Sequence, residues 1–598
     1  MILVLTRRLS KTVRLVIFTI LCCILFLTAN HIIKSGILTD SWDFIPSHLT
    51  GDKSGIPQEP AKPDAYAIHE DQRPLSDDLK YERQVKLHKY FEKVFQHIKE
   101  FSPVGRSSKK YGKGCRLDEN VVGRPDSVDR WDLLTTKNLG QCLEISKSDR
   151  DMLKKKHNSY VNAISLLSLP KGAYQGRGIV TVGGGQFSVL SLVMIKMLRK
   201  LGTTLPVEVL IPPGEEGDEQ LCKQVFPELN AKCISLSDVL PASVISNFAF
   251  KGYQLKSLAI IASSFQDLLL LDADNIPVVP LDNIFDAEPY KFTKLVLWPD
   301  FWRRTTSPIY YEVADIPVGP ERVRNCMDDF TPPSVYTESS DLDKVPLHDL
   351  QGTVPDVSTE SGQILINKYY HLPTVLLSLY YNVNGPTWYY PMFSQKAAGE
   401  GDKETFIASA NFYELKYYQV KSIPGVEGYR IDGNPSNFRG VAILQHDFRE
   451  DYKGYMKAQT HAKEKYLESA TLDPDYSLEK LYKQYFGNGK GDDIPFMFAH
   501  CNFPKFEPWV LSARDDLIEN GHHIRSFTSL DKLQNFDLEL EAFDILNKYI
   551  CQEMVEFQYY KNLSVEERTK MCQYVKDRLR FLKETHESAT NAVDKDNR

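Results

Sequence analysis

The sequence predicts an α/β fold, and three observations carry the expectation. Leu268 to Asp274 reads LLLLDAD, an apolar run of the right length for a strand buried on both faces of a parallel sheet. Gly178–Val182, the turn Gly183-Gly184-Gly185, a helix from about Gln186 to Lys200 and Val207–Ile211 make a strand, glycine turn, helix, strand unit. A helix from about Gly252 to Ser264 leads into LLLLDAD. Further strands are expected at Lys294–Trp298 and Gln363–Ile366, and a helix over Tyr369–Tyr381.

The chain has 598 residues, enough for a large catalytic unit with attachments. A net charge of -7 is small for that length and leaves no footprint for a nucleic-acid partner. Arg7, Arg8, Lys11 and Arg14 precede an apolar run from Leu15 to about Ile33, about 28 Å as a helix. The basic bias puts 1–14 in the cytosol, 15–33 in a membrane as a signal anchor, and the rest in a lumen. No A-x-A cleavage site follows the run. Residues 34–78 are rich in Pro, Gly, Asp and Lys and read as a flexible stem.

From Leu79 an amphipathic helix begins, with Leu87, Tyr90, Phe91, Val94, Phe95 and Ile98 at helical spacing. It opens a helical neck over 79–172. The α/β unit is expected over 173–535, and a charged helical extension over 536–598. Cys22 and Cys23 lie in the anchor. The other eight, Cys115, Cys142, Cys222, Cys233, Cys326, Cys501, Cys551 and Cys572, form an even number in a compartment that permits disulfides. Asn562-Leu563-Ser564 is a glycosylation sequon.

Asp272 and Asp274 emerge where the leucine strand stops, the edge at which open α/β sheets gather ligands. Two hard oxygen ligands at i and i+2 suit a divalent cation that also holds a diphosphate. The plainer alternative is a buried strand capped by turn-forming aspartates. Asn275-Ile276-Pro277 is expected to end the strand.

Lys256, in KGYQLK, could reach that diphosphate. The turn at Gly183 and Gly184 lets a nucleotide approach the backbone, although Ser188 breaks the G-x-G-x-x-G pattern. A Ser-Gly turn entering a strand at 361–362 would bring backbone close to a bound group, with Glu360 and Gln363 flanking that group as candidate catalytic residues. Asp402 reads as a helix N-cap, or with Glu404 as a carboxylate pair orienting sugar hydroxyls. His500 and His446 compete to complete the metal shell, and Lys505 could meet the phosphates. Trp302, Trp388 and Tyr389 lie in aromatic clusters of the kind that stack on sugar rings.

Taken together these segments resemble the fungal Golgi α-1,2-mannosyltransferases that branch outer-chain mannan. GRGIVTVGGGQFSVLSLVMIKMLRKLGTTLPVEVLIP, KGYQLKSLAIIASSFQDLLLLDADNIPV, LWPDFWRRTTSPIYY, ESGQILINK and GDKETF carry the resemblance, from about residue 170 to about 510. It implies a GT-A-like nucleotide-sugar fold with a mixed central sheet and GDP-mannose as donor. It also implies Mn²⁺ on Asp272 and Asp274, a mannan or N-glycan acceptor, and a Golgi membrane setting with other mannosyltransferases as possible partners. Lys256 lies where related retaining enzymes place a diphosphate-binding lysine. The order His500, Lys505, Trp509 is similar to that of glycogenin-like enzymes, with different spacing.

Two alternatives stand beside this one. LLLLDADNI loosely resembles the haloacid-dehalogenase nucleophile segment, with Gly491-Asp492-Asp493 as its distal acidic motif. A non-catalytic glycan-binding Golgi partner could also keep the fold.

Overall fold

In the computed structural model, a seven-stranded mixed sheet organises the protein. The structure describes residues 77–105, 109–117, 131–337, 344–397, 399–431, 437–468, 470–487 and 494–592. The expected cytosolic tail, the expected anchor at 15–33, the expected stem up to residue 76 and Gly491-Asp492-Asp493 lie outside the described residues. Among the described residues, no helix is long and apolar enough to cross a membrane.

Strands β1 (Arg177–Val182), β2 (Val207–Ile211), β3 (Ala231–Ser235) and β4 (Asp267–Leu271) pair in parallel in the order β3-β2-β1-β4. A second sheet holds the short β5 (Asn275–Pro277). The main sheet continues with β7 (Val357–Asn367), antiparallel to β4, and β6 (Leu295–Arg303), antiparallel to β7, and ends on β8 (Tyr418–Gln419), parallel to β6. In the second sheet β5 pairs with β11 (Phe496–Cys501), which pairs with β10 (Phe438–His446) and then β9 (Gly425–Arg430), all antiparallel.

Two expectations change here. Asn275-Ile276-Pro277 does not merely stop the leucine strand. It is a strand of the second sheet, so Asp272, Ala273 and Asp274 are the bridge between the sheets. Glu360 to Gln363 is not a turn either, because it lies within the 11-residue β7. The ladder to β6 slips there. Trp298 pairs with Glu360 and Val296 with Leu365, so β7 bulges around Ser361 and Gly362.

The main sheet is buried on both faces, and the side-chain period of two sorts its residues between them. Leu268 and Leu270 join one apolar cluster, and Leu269 and Leu271 the other. Each buried leucine stabilises the fold by about 1.5–3 kcal/mol. Helices α1 (Asp77–Phe101) and α2 (Lys147–Ser165) cover the first face, and α3 (Gln186–Lys200) covers the other. Helices α4 (Gln254–Ala262) and α5 (Lys368–Val383) complete the cover of the first face. Two C-terminal helices, Leu538–Leu546 and Val565–Asn591, also pack on the second face.

The helix α1 buries Leu87, Tyr90, Phe91, Val94, Phe95 and Ile98 into the first cluster, so the neck is part of the core. It begins at Asp77, two residues before the expected start. The disulfides Cys115–Cys142, Cys222–Cys233 and Cys551–Cys572 account for six cysteines, and Cys326 and Cys501 are buried thiols.

Candidate active site

The bridge between the sheets carries both aspartates, and backbone hydrogen bonds fix it on each side. Asp272 N–H donates to Gly362 O at 2.8 Å, and Asn275 N–H to Asp272 O at 2.9 Å. Cys501 N–H donates to Asp274 O at 2.9 Å. His500 lies opposite Asn275 in the β5–β11 pair. That register brings His500 Nε2 to 3.3 Å from Asp274 Oδ1 and 4.0 Å from Asp272 Oδ2. One ligand atom each from Asp272, Asp274 and His500 lie within 4.8 Å of one another.

Two lysines hold the aspartates. Lys256, on the first turn of α4, places Nζ 2.8 Å from Asp272 Oδ2. The same ammonium donates to Ser361 O at 3.0 Å and Ser361 Oγ at 3.1 Å, and lies 3.8 Å from Asp402 Oδ2. Ser361 Oγ in turn donates to Asp402 Oδ1 at 3.1 Å. Lys505 pairs with Asp274 Oδ2 and stands over the Phe187 ring at 5.8 Å. Phe187 is the second residue of α3, which follows the glycine turn directly, so that turn borders the site.

The electrostatics follow from this crowding. Burial disfavours a charged His500, but Glu360 and Asp274 outweigh it and push the ring up to about 10. Burial likewise opposes charge on Lys256. Asp272, Asp402 and Glu360 overcome it and hold the ammonium well above its ordinary value. Asp274 resists burial and lies below the usual carboxylate range because His500 and Lys505 both touch it. Asp272 lies above that range, raised by burial and by Asp274 against the pull of Lys256. Burial pushes Asp402 up to about 6.

Several expected positions fall elsewhere. His446 is not beside the aspartates. It sits at the far end of β10, with Nδ1 2.6 Å from Ile494 O and Nε2 3.0 Å from Ile423 O. Trp388 and Tyr389 are buried, Tyr389 against Tyr380, Tyr381 and Phe393, so neither offers a face to a sugar.

Glu404 turns away from Asp402 and forms a buried ion pair with Arg304, while accepting from Ser358 Oγ at 2.7 Å. Asp402 is not the N-cap. The helix α6 (Thr405–Phe412) starts one turn later, and Thr405 N–H donates to Asp402 O at 2.8 Å. Gln363 is fully buried and accepts from Asn275 Nδ2, tying β7 to β5 instead of flanking an opening.

Two N–H groups of the glycine turn, those of Gly183 and Gly184, are already engaged. Gly183 donates to Leu210 O at 2.8 Å and Gly184 to Ser188 Oγ at 2.9 Å. Gly184 has φ +86°, and a Cβ there would meet Glu215 and Pro212 at 2.9 Å. Trp302 is half-buried at the end of β6. Asn562 is exposed, and Ser564 of its sequon caps the C-terminal helix.

Ser361 and Gly362 read from the sequence only as a turn, with no role of their own. Gly362 carries a further signal, since a lone glycine in a strand pattern marks a bulge or a close approach. A Cβ at Gly362 would lie 2.7 Å from His500 Cε1 and Nδ1, so only glycine leaves space for the ring.

The donor set fits a divalent cation. Two carboxylates from the bridge and an imidazole from β11 converge, and carboxylate oxygens suit Mg²⁺ and Mn²⁺. Lys256 and Lys505 stand where they neutralise the aspartates and could also face an anionic group above them.

With this geometry in place, comparison with known proteins is informative. The family model described as "Mannosyltransferase putative" matches residues 176–447. The chain is 48% identical to Alpha-1,2-mannosyltransferase MNN2 of Saccharomyces cerevisiae (strain ATCC 204508 / S288c), over 98% of this chain and 99% of that one. It is 39% identical to MNN5 of the same strain, over 84% of this chain and 90% of that one. It is 34% identical to MNN21 of Candida albicans, over 90% of this chain and 82% of that one.

A solved galactosyltransferase, LgtC in complex with donor and acceptor sugar analogs, aligns at 12% identity with a TM-score of 0.29. That alignment covers 66% of this chain and 99% of that one. Each of these sequence relatives carries a transferase name, which favours neither the phosphohydrolase nor the non-catalytic alternative. On relatives matched at this identity along nearly the whole length, the chain belongs to the fungal α-1,2-mannosyltransferase family.

Proposed function

We propose that this protein is a retaining, metal-dependent α-1,2-mannosyltransferase of GT-A-like fold. It would move mannose from GDP-mannose to mannan or N-glycan outer-chain acceptors. The observation that carries the reading is the convergence of Asp272, Asp274 and His500 between Lys256 and Lys505 at the edge of the parallel strands. The family membership supplies the sugar and the linkage.

Asp272, Asp274 and His500 would hold Mn²⁺, which when bound supplies positive charge to a diphosphate. Lys256 and Lys505 add two fixed ammonium groups for the charge that develops as GDP departs. Glu360 holds His500 by its second ring nitrogen, and Ser361 and Asp402 hold Lys256. An α-linked donor giving an α-linked product requires retention. The acceptor O2 forms its bond to C1 on the face from which the phosphate oxygen leaves. The C1–O electron pair departs with GDP, and the hydroxyl proton passes to that phosphate oxygen. Glu360 acts here as a positioning residue, since its Oε1 already accepts from Gly362 N–H at 2.8 Å.

The setting we propose is the Golgi membrane, with a single-pass anchor at 15–33 and the folded unit lumenal. The basic flank of that apolar run supports it, as do three disulfides that need an oxidising compartment. Glycosylation at the exposed Asn562 fits the same setting.

Purified protein with GDP-mannose and an α-mannoside acceptor tests the reading. The expected result is Mn²⁺-stimulated release of GDP and an α-1,2-linked product by linkage analysis. Asp274→Ala should lose transfer while its melting stays cooperative, and near-normal transfer by that variant would sink the metal assignment.

A further inference from the structure

Asp402 meets the site through few contacts of its side chain. Its Oδ1 accepts from Ser361 Oγ at 3.1 Å. Its Oδ2 lies 3.8 Å from Lys256 Nζ and is buried without a hydrogen bond. Its carbonyl oxygen accepts from both Thr405 N–H and Thr405 Oγ1 at 2.8 Å, which ties the backbone to the start of α6. What aims the carboxylate is therefore the turn at 401–404 that carries it.

That turn is gripped from two sides. On one, Tyr253, the N-cap of α4, lays its ring against Gly401, where a Cβ would stand 3.1 Å from the ring. On the other, Lys403 reaches into the β6–β7 pair with a side chain only 12% exposed. Its Nζ donates to Asp300 Oδ2 at 2.9 Å and to Ser358 Oγ. The side chain crosses Gly399, which has φ +81° and where a Cβ would run into it. Neighbours in sequence, Asp402 and Lys403 take different partners: Asp402 faces Lys256, and Lys403 faces Asp300.

Both acceptors of Lys403 are fixed by the sheet. Pro299 pairs with Thr359 and Arg303 with Val357, so β6 spends four steps where β7 spends two, and Asp300 stands in that bulge. Bulges re-aim side chains beside active sites. Asp300 Oδ1 accepts from Phe301 N–H at 2.7 Å, which leaves Oδ2 for the lysine. Ser358 lies on the stretch of β7 that leads to Glu360 and Ser361. One ammonium thus sets the turn of Asp402 against the strand of Ser361, and those two residues together hold Lys256.

We propose that Lys403 is a positioning residue for the transfer reaction. By anchoring the 401–404 turn to β6 and β7 it sets Asp402, and through Asp402 the ammonium of Lys256. The assignment rests on the transferase reading given above. Lys256 meets charge that grows as GDP departs, so its displacement falls on the chemical step more than on donor binding.

The test is steady-state transfer from GDP-mannose to an α-mannoside by the full chain with Mn²⁺, in Lys403→Met, Asp402→Asn and the double variant. Lys403→Met should lower kcat about 10- to 100-fold, the effect of a group displaced within a reaction site, with the KM for GDP-mannose nearly unchanged. On the Asp402→Asn background the same change should lower kcat no further, because the two act as a unit. Losses that multiply overturn the proposal, as does full activity in Asp402→Asn. If Lys403→Met melts early, adding Asp300→Asn removes the carboxylate left unpaired; melting should recover while kcat stays low. Recovery of kcat together with melting also overturns it, since Lys403 would then serve stability alone. A wild-type chain that transfers no mannose sinks the transferase reading itself, whereas an active chain with multiplying losses sinks only the role of Lys403.

Discussion

Glu360 stands directly behind His500: its Oε1 lies 3.3 Å from ring Nδ1, which leaves Nε2 turned toward Asp274. A carboxylate in that position fixes the ring's orientation and raises its basicity toward a metal. Glu360→Ala should weaken Mn²⁺ binding about 10–100-fold. Glu360→Gln, which keeps a hydrogen-bonding group without charge, should cost less. Metal titration by calorimetry reads both, and equal affinity in all three proteins would remove Glu360 from the role.

Gly362 makes the space that ring occupies. Gly362→Ala sets a methyl 2.7 Å from His500 Cε1 and Nδ1 and 2.9 Å from Glu360 Oε1. The ring is held from both sides and cannot swing clear without losing a partner. Overpacking of this kind costs about 1–3 kcal/mol. Transfer should fall more than tenfold with only a modest drop in melting temperature, and full activity would show that the ring has room to move.

Glu404 is a structural partner of Arg304 and does not touch the metal cluster. Arg304 is buried and also donates to Pro355 O and Val357 O. Removing the carboxylate leaves a buried guanidinium uncompensated, at a cost of about 3–5 kcal/mol. Glu404→Ala should therefore shift the denaturation midpoint sharply. A variant that keeps its stability and loses only transfer would restore Glu404 to a sugar-binding role.

Acid should destabilise the fold through two buried neutral histidines. Burial drives both His157 and His371 down to about 4, while unfolded histidine titrates near ~6.5. Between those values the unfolded chain binds more protons than the folded one. The stability is thus fully present above pH ~6.5 and is lost as pH falls toward ~4, by about 3 kcal/mol for each ring at the low end. His157 Nε2 lies 2.8 Å from Tyr381 OH. His157→Gln should flatten the fall in melting temperature between pH 7 and pH 5, and an unaltered slope would contradict the assignment.

The legible parts of the chain are those whose signal is local. The bounds of α3 and β2 follow from periodicity and flanking turns, and the observed elements coincide with the expected ones. LLLLDAD reads as a doubly buried strand because four consecutive leucines satisfy both faces of a sheet at once. The ESGQ segment was misread because serine and glycine signal a turn locally, whereas the pairing of β7 with both β4 and β6 holds them extended. Trp388 and Tyr389 have the composition of a sugar platform, and only packing takes them out of reach: Trp388 is buried, and Tyr389 lies against Tyr380 and Tyr381 of the preceding helix.

By itself, the sequence determined the strand that ends in Asp272 and Asp274, the helix that brings Lys256 to it, and the family to which these motifs belong. Only the tertiary structure decided between His500 and His446. Both histidines lie near strand ends in apolar surroundings, and nothing local separates them. The antiparallel register of β5 with β11 sets His500 opposite Asn275, one residue beyond Asp274. It leaves His446 at the other end of its strand, bonded to backbone carbonyls. That register depends on contacts more than 200 residues apart in the sequence, a separation that no local pattern of residues encodes.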